Sequence, residues 1–185
     1  IMQFGFSLLF AIFAMYFPGG PIDGSCIWIP VFDVTIDLGI FYIPFAVFVM
    51  VAFSNAVNLT DGLDGLASGI TALVAFFMVL AATSFGYTDQ PVIFGAVAGC
   101  LGFLPFNFYP AKIFMGDTGS MALGGVLSAG ALLMKLEFLL AIAGLIYVIE
   151  ALSVVIQVTY YKKTKKRIFK MAPIHHHFEL CGMKE

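Results

Sequence analysis

Charged residues are scarce in this sequence: they make up 11% of its 185 residues, against about 25% in soluble domains. Hydrophobic residues make up 61%, and the mean hydropathy is +1.01. A chain with so few charges cannot cover a globular surface with polar groups, so much of its surface is expected to face lipid. This composition excludes an ordinary soluble domain, and no nucleic-acid partner is expected.

Cysteine is also scarce. Cys26, Cys100 and Cys181 lie far apart and fit no zinc-ligand spacing, so they are expected to be packing residues. No basic segment precedes the first apolar stretch, and residue 1 is isoleucine, which does not resemble the start of a signal peptide. We therefore interpret the sequence as a piece of a longer membrane protein.

Long apolar runs dominate the chain, and about six of them could cross the hydrocarbon layer as helices. The predicted spans are residues 1–17, 39–57, 66–83, 91–106, 118–134 and 138–160. Helices are expected because the runs are continuous and because lipid offers no partner to unpaired backbone groups. The predicted fold class is an all-α polytopic membrane protein, with a helical bundle at 1–160 and a basic segment at 161–185.

Basic residues gather on one side of this predicted bundle. Eight of the nine Lys and Arg residues lie in the connections 58–65 and 107–117 or in the segment 161–185, and the ninth is Lys135. Cytoplasmic loops are the ones enriched in Lys and Arg, so this side is predicted to be cytoplasmic. The opposite segment, 18–38, predicts an extended hairpin or short amphipathic segment at the outer interface, with Trp28 as an anchor.

The first polar cluster on the basic side is NAVNLTDGLDGLASG, residues 55–69. If Asp61 and Asp64 open the next helix, with Thr60 as its cap, their spacing places both carboxylates on one face. A helix N-terminus there would favour a phosphate, and Gly62 would let a ligand approach the backbone closely. A solvated capping loop is the alternative, but this density of acids, amides and glycines between apolar spans favours a site.

The second polar cluster is FNFYPAKIFMGDTGSMALGG, residues 106–125, in which Asp117 follows Asn107 and Phe114. An unpaired carboxylate at the membrane edge is costly and therefore suggests a function. Its expected partner is a hard divalent cation, Mg²⁺, which carboxylates bind together with substrate phosphates and water. The alternative is that Asp117 only caps the following helix, although one residue can serve both purposes.

The third polar region follows the last span. Its basic run, KKTKKRIFK, is typical of a patch that binds anionic lipid. The three histidines of the chain come next, at 175–177. Because adjacent side chains cannot all face the same way on a helix, a single three-histidine metal centre is not favoured. A cluster that hydrogen-bonds a phosphorylated substrate is the preferred interpretation.

Together these regions favour a magnesium-assisted transfer between a phosphorylated, water-soluble substrate and a lipid-borne partner, because such chemistry needs mainly positioning and charge neutralisation. A transporter or channel is the alternative from another class. It would require charges inside the spans, and only Glu150 lies well within one.

Three segments carry a resemblance to a known family: NAVNLTDGLDGLA, FNFYPAKIFMGDTGS and RIFKMAPIHHHFEL. They resemble the cytoplasmic loops of the phospho-N-acetylmuramoyl-pentapeptide transferases, within the polyprenyl-phosphate N-acetylhexosamine-1-phosphate transferase superfamily. The resemblance covers essentially the whole chain. Superfamily members that use other UDP-N-acetylhexosamines carry a different histidine motif and are the alternative within the superfamily.

The resemblance implies transfer of phospho-N-acetylmuramoyl-pentapeptide from its UDP-linked donor to undecaprenyl phosphate. The products would be lipid I, a precursor of peptidoglycan, and UMP, with Mg²⁺ as cofactor. It also implies a multi-pass protein of the bacterial cytoplasmic membrane, surrounded by membrane lipid, with its active site facing the cytoplasm. A homodimer is implied as well.

Residue roles follow from the same resemblance. Asp117 is implied to bind Mg²⁺, and Phe114 to stack on uracil. The residues implied to be catalytic are Asp117, Asp61, Asp64 and His175. Those implied to contact substrate are Asn58, Asp61, Asp64, Asn107, Phe114, Gln157, His175 and His176.

One feature of the family is missing from the sequence. Family members have about ten transmembrane helices, and an early loop carries two adjacent aspartates followed by a lysine, thought to position or deprotonate the lipid phosphate. No Asp-Asp pair occurs in these 185 residues. The six predicted spans resemble the fourth to ninth helices of the family, so the chain by itself is expected to be inactive.

Overall fold

The structure, a computed structural model, describes residues 2–87 and 91–183. Within these ranges the chain forms eight α-helices and one two-stranded sheet. The elements in chain order are α1 (Met2–Tyr16), β1 (Cys26–Ile29), β2 (Val34–Asp37), a 3₁₀ turn (Gly39–Phe41), α2 (Tyr42–Thr60), α3 (Leu66–Ser84), α4 (Pro91–Asn107), α5 (Gly116–Met134), α6 (Glu137–Ala143), α7 (Leu145–Thr164) and α8 (Ile174–Leu180).

Three helical segments of the described chain are long and apolar enough to cross a membrane: Gly39–Thr60, α3 and α7. The helices α1 and α4 are apolar but shorter. Large apolar side chains on these helices are exposed, as on Leu73 and Phe48, which is expected where lipid is the solvent. The prediction of an all-α membrane bundle is therefore confirmed.

The sixth predicted span, 138–160, is not one helix. The structure divides this region into α6 and α7 at Gly144, whose backbone (φ −92°, ψ 29°) is not helical. The absence of a side chain matters at this break. A Cβ on Gly144 would lie 3.0 Å from the carbonyl oxygen of Leu140 and 3.1 Å from the ring of Tyr147.

The segment between α1 and α2 forms the predicted hairpin, in which β1 and β2 pair antiparallel. The indole N–H of Trp28 donates a hydrogen bond to Asp33 (3.0 Å), and the indole packs edge-on against Phe85, with ring centroids 4.8 Å apart. The ammonium group of Lys135, in the turn between α5 and α6, donates to the carbonyl of Gly24 (2.6 Å). These contacts attach the hairpin to the end of the bundle at which α3 ends and α5 turns into α6.

The crossing of α2 and α5 decides where a site can form. A Cβ on Gly124 of α5 would lie 2.6 Å from the carbonyl oxygen of Phe53 and 2.7 Å from the Cα of Ser54. The glycine therefore lets the two backbones approach closely, as small residues do between membrane helices. The Ser54 hydroxyl also donates to the carbonyl of Met121 (3.0 Å). Because the helices run antiparallel, the end of α2 lies beside the start of α5.

The apolar core lies mainly among α2, α3, α4 and α5, and Leu140 of α6 and Tyr147 of α7 also belong to it. Tyr147 of α7 is fully buried there, and its hydroxyl shares a hydrogen bond of 2.7 Å with Thr71 of α3. All three cysteines are free thiols. Cys100 is buried, as expected of a packing residue, whereas Cys181 is exposed, so that expectation is wrong for Cys181.

Candidate active site

Asp61 and Asp64 lie in the connection between α2 and α3, not in the first turn of α3 as predicted. The helix α3 begins at Leu66, two residues after Asp64. Its N-cap is Gly65, which takes a left-handed conformation (φ +73°). The predicted cap, Thr60, instead ends α2 and donates its hydroxyl to the carbonyl of Ala56 (2.8 Å). The glycine sets the helix start because it adopts a positive φ without strain.

Asn58 joins this connection to the start of α5. Its side-chain amide donates to Asp117 Oδ1 (3.2 Å) and to Ser120 Oγ (3.0 Å). Asp117 lies inside the first turn of α5, whose cap residue is Met115, so Asp117 is not the helix cap. Partial positive charge at a helix N-terminus favours a carboxylate there. Ser120, which the sequence analysis missed, follows Asp117 by three residues and so shares its helix face.

Asp61 and Asp117 are brought together at this end of the bundle. The backbone N–H of Asp61 donates to the carbonyl of Asn58 (3.2 Å). Burial raises the pKa of Asp61 above its usual range, and the negative charge of Asp117 raises it further. Within the described ranges, neither carboxylate forms a salt bridge with a Lys or Arg side chain. The described residues therefore place two repelling carboxylates here without a salt bridge to either.

The donor set at this position suits Mg²⁺. In the described part of the chain, no cluster of three or more His, Cys, Asp or Glu side chains is placed to hold a metal ion. Two carboxylates are nevertheless enough for Mg²⁺, which usually keeps several waters and takes further oxygens from substrate phosphates. Asp117 is exposed, so a hydrated ion can reach it. Zinc, which prefers nitrogen and sulfur ligands, finds no comparable set.

Asp64 and Asn107 hold the loop between α4 and α5. Asp64 Oδ2 accepts a hydrogen bond from the backbone N–H of Ala111 (2.8 Å). Asn107 is 3% exposed, and it accepts from the Ser68 hydroxyl (2.7 Å) and donates to the carbonyl of Ile113 (3.1 Å). Both side chains shape the loop in this structure. Their predicted contact with substrate stays a prediction.

Phe114 lies in the loop that these two residues hold, three positions before Asp117. Its side chain is 73% exposed. An exposed ring beside an acidic site can stack on a flat base, and such stacking contributes about 1–3 kcal/mol per base. The position is compatible with the predicted uracil contact, which stays a prediction.

Gln157 fastens the segment after α7 back onto that helix. Its amide donates to the carbonyl of Phe169 (2.9 Å), and its oxygen accepts from the backbone N–H groups of Ile168 and Phe169 (3.0 Å each). These bonds give Gln157 a role in placing α8. Its predicted contact with substrate stays a prediction.

The three histidines of α8 face three different partners. His176 pairs with Glu179 of the same helix (2.5 Å). His177 accepts a hydrogen bond from the backbone N–H of Lys170 (3.0 Å). His175 turns inward, as described next. The adjacent positions of the three histidines predicted that their rings would point in different directions. They did not predict which residue each ring contacts.

His175 is the buried member of the motif, with 6% of its surface exposed. Its Nδ1 lies 3.1 Å from Oε2 of Glu150 on α7. Its Nε2 lies beside Gly62, such that a Cβ on Gly62 would overlap the nitrogen. The structure therefore places His175 beneath the connection that carries Asp61. The sequence indicates Glu150 only as a charge within a span and gives no sign of this contact.

Spanning helices and an acidic site at one end of the bundle define a multi-pass membrane protein with a candidate active site. The family model described as glycosyl transferase family 4 matches residues 1–135, and the chain belongs to this family.

Three curated relatives indicate which members of this family the chain resembles. The chain is 52% identical over 185 residues to a phospho-N-acetylmuramoyl-pentapeptide-transferase of Acetivibrio thermocellus, covering 99% of the chain and 56% of the relative. It is 58% identical over 165 residues to a protein of that name from Clostridioides difficile (88% and 51%). It is 55% identical over 175 residues to one from Clostridium kluyveri (94% and 55%).

The resemblance read from the three polar segments is thereby confirmed. The chain spans about half the length of the curated relatives it matches. The family-model match ends at residue 135, whereas the relatives also align with the part that contains Glu150 and the histidines.

Proposed function

We propose that this chain forms the donor-binding part of a membrane transferase that moves phospho-N-acetylmuramoyl-pentapeptide from UDP to undecaprenyl phosphate. Lipid I and UMP are the products. Relatives at 52–58% identity are named phospho-N-acetylmuramoyl-pentapeptide-transferases, which supports this reaction over a transporter and over transfer of another sugar phosphate.

One observation carries the proposal: Asp61 and Asp117 interact at an accessible end of the bundle, and among the described residues neither forms a salt bridge. Phosphoryl transfer from a nucleotide sugar requires that charge on the pyrophosphate and on the departing UMP be neutralised. The two carboxylates recruit the cation that does so. Asn58 fixes the orientation of Asp117 through its hydrogen bond of 3.2 Å.

Mg²⁺ is the cofactor that we propose. Asp117 would be its protein ligand, and Asp61, whose pKa responds to the charge of Asp117, would contribute through a bound water. When bound, the ion would supply charge neutralisation and alignment at the pyrophosphate. Phe114 would stack on the uracil, and the loop held by Asp64 and Asn107 would keep that ring in place.

The lipid acceptor requires an apolar surface that leads to the acids. An apolar cavity of about 580 Å³ lies between α2 and α7 and extends along α2 from Phe45 to Leu59, two residues before Asp61. We propose that an isoprenoid chain uses this surface while its phosphate approaches the acidic end. The site then faces the cytoplasm, in agreement with the excess of Lys and Arg on that side.

The membrane would be the bacterial cytoplasmic membrane, and the working unit a homodimer. Both are carried over from the family resemblance and stay proposals.

The experiment that tests the function uses the full-length protein that carries this sequence, reconstituted with undecaprenyl phosphate. UDP-N-acetylmuramoyl-pentapeptide is offered beside an equal amount of UDP-N-acetylglucosamine, with Mg²⁺ or with EDTA. We expect lipid I and UMP from the muramoyl donor only, and a loss of at least about 100-fold in EDTA. Lipid product from UDP-N-acetylglucosamine would instead support the related transferase, and undiminished turnover in EDTA would overturn the role of Mg²⁺.

A further inference from the structure

Glu150 is a buried carboxylate within a span, and no role has been given to it so far. It is 3% exposed, and the side chains of Glu150 and His175 each expose only 5% of their surface. An acidic side chain inside a spanning helix is costly and usually has a functional partner. Here the partner is His175, 25 positions further along the chain, at 3.1 Å.

The contact bears on which imidazole nitrogen carries the proton. An ionised carboxylate can only accept hydrogen bonds, so beside an ionised Glu150 a neutral His175 would donate its Nδ1–H. Nε2 then holds the lone pair of the neutral ring. Carboxylate partners orient metal-bound and catalytic histidines in the same way.

The other nitrogen faces the acidic connection. His175 Nε2 is buried and has no hydrogen-bond partner among the described residues. It lies against Gly62, which is exposed and follows Asp61 directly. A buried polar atom without a partner costs about 1–3 kcal/mol. A small shift of the exposed glycine would give a ligand access to this atom.

We propose that Glu150 is a positioning residue: it holds His175 with Nε2 toward Gly62, where Nε2 accepts a hydrogen bond from the nucleotide-sugar donor. The group that donates is a hydroxyl or amide N–H of the sugar or nucleoside, because the phosphates carry no proton to donate at neutral pH. This inference rests on the proposed function and adds the atom, the tautomer and the residue that fixes it.

The first test replaces Glu150 by glutamine in the full-length protein. Glu150→Gln keeps the size of the side chain, but its amide can also donate to Nδ1 and so favours the opposite tautomer. We expect kcat to fall about 10- to 100-fold, as for other residues that orient a histidine. The thermal unfolding midpoint should stay nearly unchanged. The matched control is Ser153→Ala, one turn along α7 and equally buried, which should keep kcat within about twofold.

A double-mutant cycle separates positioning from a structural effect. If Glu150 acts through His175, Glu150→Gln should cost little in a His175→Ala background. Independently of activity, ¹⁵N NMR of histidine-labelled protein should show His175 protonated on Nδ1 in the unaltered protein and a shift toward the Nε2–H form in Glu150→Gln. The His175→Ala spectrum assigns the signal.

Three results would overturn the inference while leaving the proposed function intact. They are a kcat for Glu150→Gln within about threefold of normal, an equal loss in the His175→Ala background, and an Nε2–H tautomer in the active, unaltered protein. A full-length protein that forms no lipid product with any UDP-sugar would overturn the proposed function and, with it, the inference.

Discussion

The two ends of the helix bundle differ in the burial and in the sign of their charged side chains. At one end, Asp61 and Asp117 stand close together, partly open to solvent and without a cationic side chain among the described residues. At the other end, Lys135 and Glu137 are buried, at 0% and 3% exposure. The first end carries like charges, whereas the second carries opposite charges.

At the buried end, both charged side chains have partners within the protein, although Glu137 Oε2 has no hydrogen-bond partner among the described residues. The ammonium of Lys135 donates to the Gly24 carbonyl and lies 3.7 Å from the centroid of the Tyr42 ring. The Tyr42 hydroxyl donates to Glu137 (3.3 Å). Burial lowers the pKa of Lys135 to about 8, while the charge of Glu137 acts in the opposite direction.

The difference indicates which end is structural and which is functional. The buried Lys135 joins the hairpin to the turn between α5 and α6 through its hydrogen bond to Gly24, and removing one of two opposite buried charges leaves the other uncompensated. Like charges kept together at an accessible position oppose folding and are retained for a ligand. Substitutions at the first end should therefore change catalysis, and substitutions at the second end should change stability.

The strongest test removes the charge of Asp117. We expect Asp117→Asn to lower the rate of UMP release from the full-length protein by about 10³-fold or more, because a cation ligand is worth several kcal/mol in the transition state. Asp23→Asn, an exposed acid near the opposite end, is the matched control and should leave the rate unchanged. If the Asp117→Asn protein inserts in the membrane and still turns over at a near-normal rate, Asp117 is not the cation ligand.

The converse test removes the cation of the buried end. Lys135→Met should lower the free energy of unfolding by about 3 kcal/mol, since it leaves Glu137 buried without its cation. The kcat of the folded fraction should stay within about threefold. Unfolding in denaturant gives the first quantity and turnover per folded molecule the second. Adding Glu137→Gln should restore part of the stability; a lost kcat with unchanged stability would contradict the contrast.

Phe114 offers a test of the loop beside the acids. Phe114→Ala should raise the KM for the UDP-linked donor about tenfold, since loss of a base-stacking partner costs about 1–3 kcal/mol. Phe108→Ala is the matched control, because Phe108 lies in the same loop and is similarly exposed (63% against 73%). Equal KM changes in both variants would indicate a general loop effect rather than stacking.

The smallest effect concerns the pH dependence of stability. Because the pKa of Asp61 is raised in the folded protein, stability is lost as the pH rises from the usual Asp range through that raised pKa. Asp61→Asn should therefore unfold at a slightly higher temperature than the unaltered protein at neutral pH in EDTA.

Two conditions should erase this difference in unfolding temperature. The first is a pH well below the usual Asp pKa, where Asp61, whose pKa is raised by folding, is protonated in folded and unfolded chains alike. The second is an excess of Mg²⁺, which should stabilise the unaltered protein more than Asp61→Asn. A variant that is less stable at neutral pH in EDTA would contradict the account of the two repelling carboxylates.

Several helices could be predicted from the sequence nearly to the residue. The span 66–83 corresponds to α3 (Leu66–Ser84), and 91–106 to α4 (Pro91–Asn107). The length of an apolar run is a local property that needs no knowledge of neighbours. The break at Gly144 was missed because a glycine inside an apolar run is tolerated in many membrane helices. A Cβ there would crowd the carbonyl oxygen of Leu140 (3.0 Å) and the ring of Tyr147 (3.1 Å).

Within the candidate site, residue types were predictable but partners were not. The sequence predicted that Asp61 and Asp64, three residues apart, would share one helix face. In the structure Asp61 instead interacts with Asp117, and Asp64 accepts a hydrogen bond from the backbone N–H of Ala111. Gly65 has a positive φ and caps α3, so the helix begins after both acids.

Composition, apolar length and loop motifs determined by themselves that this is a helical membrane protein of its transferase family with acids at one end. Only the tertiary structure decided which acids meet and which histidine turns inward. The reason is physical. The close crossing at Gly124 brings Asn58 beside Asp117, 59 positions later, and the docking of α8 brings His175 beneath Gly62. Such contacts depend on how whole helices pack, which local sequence patterns do not specify.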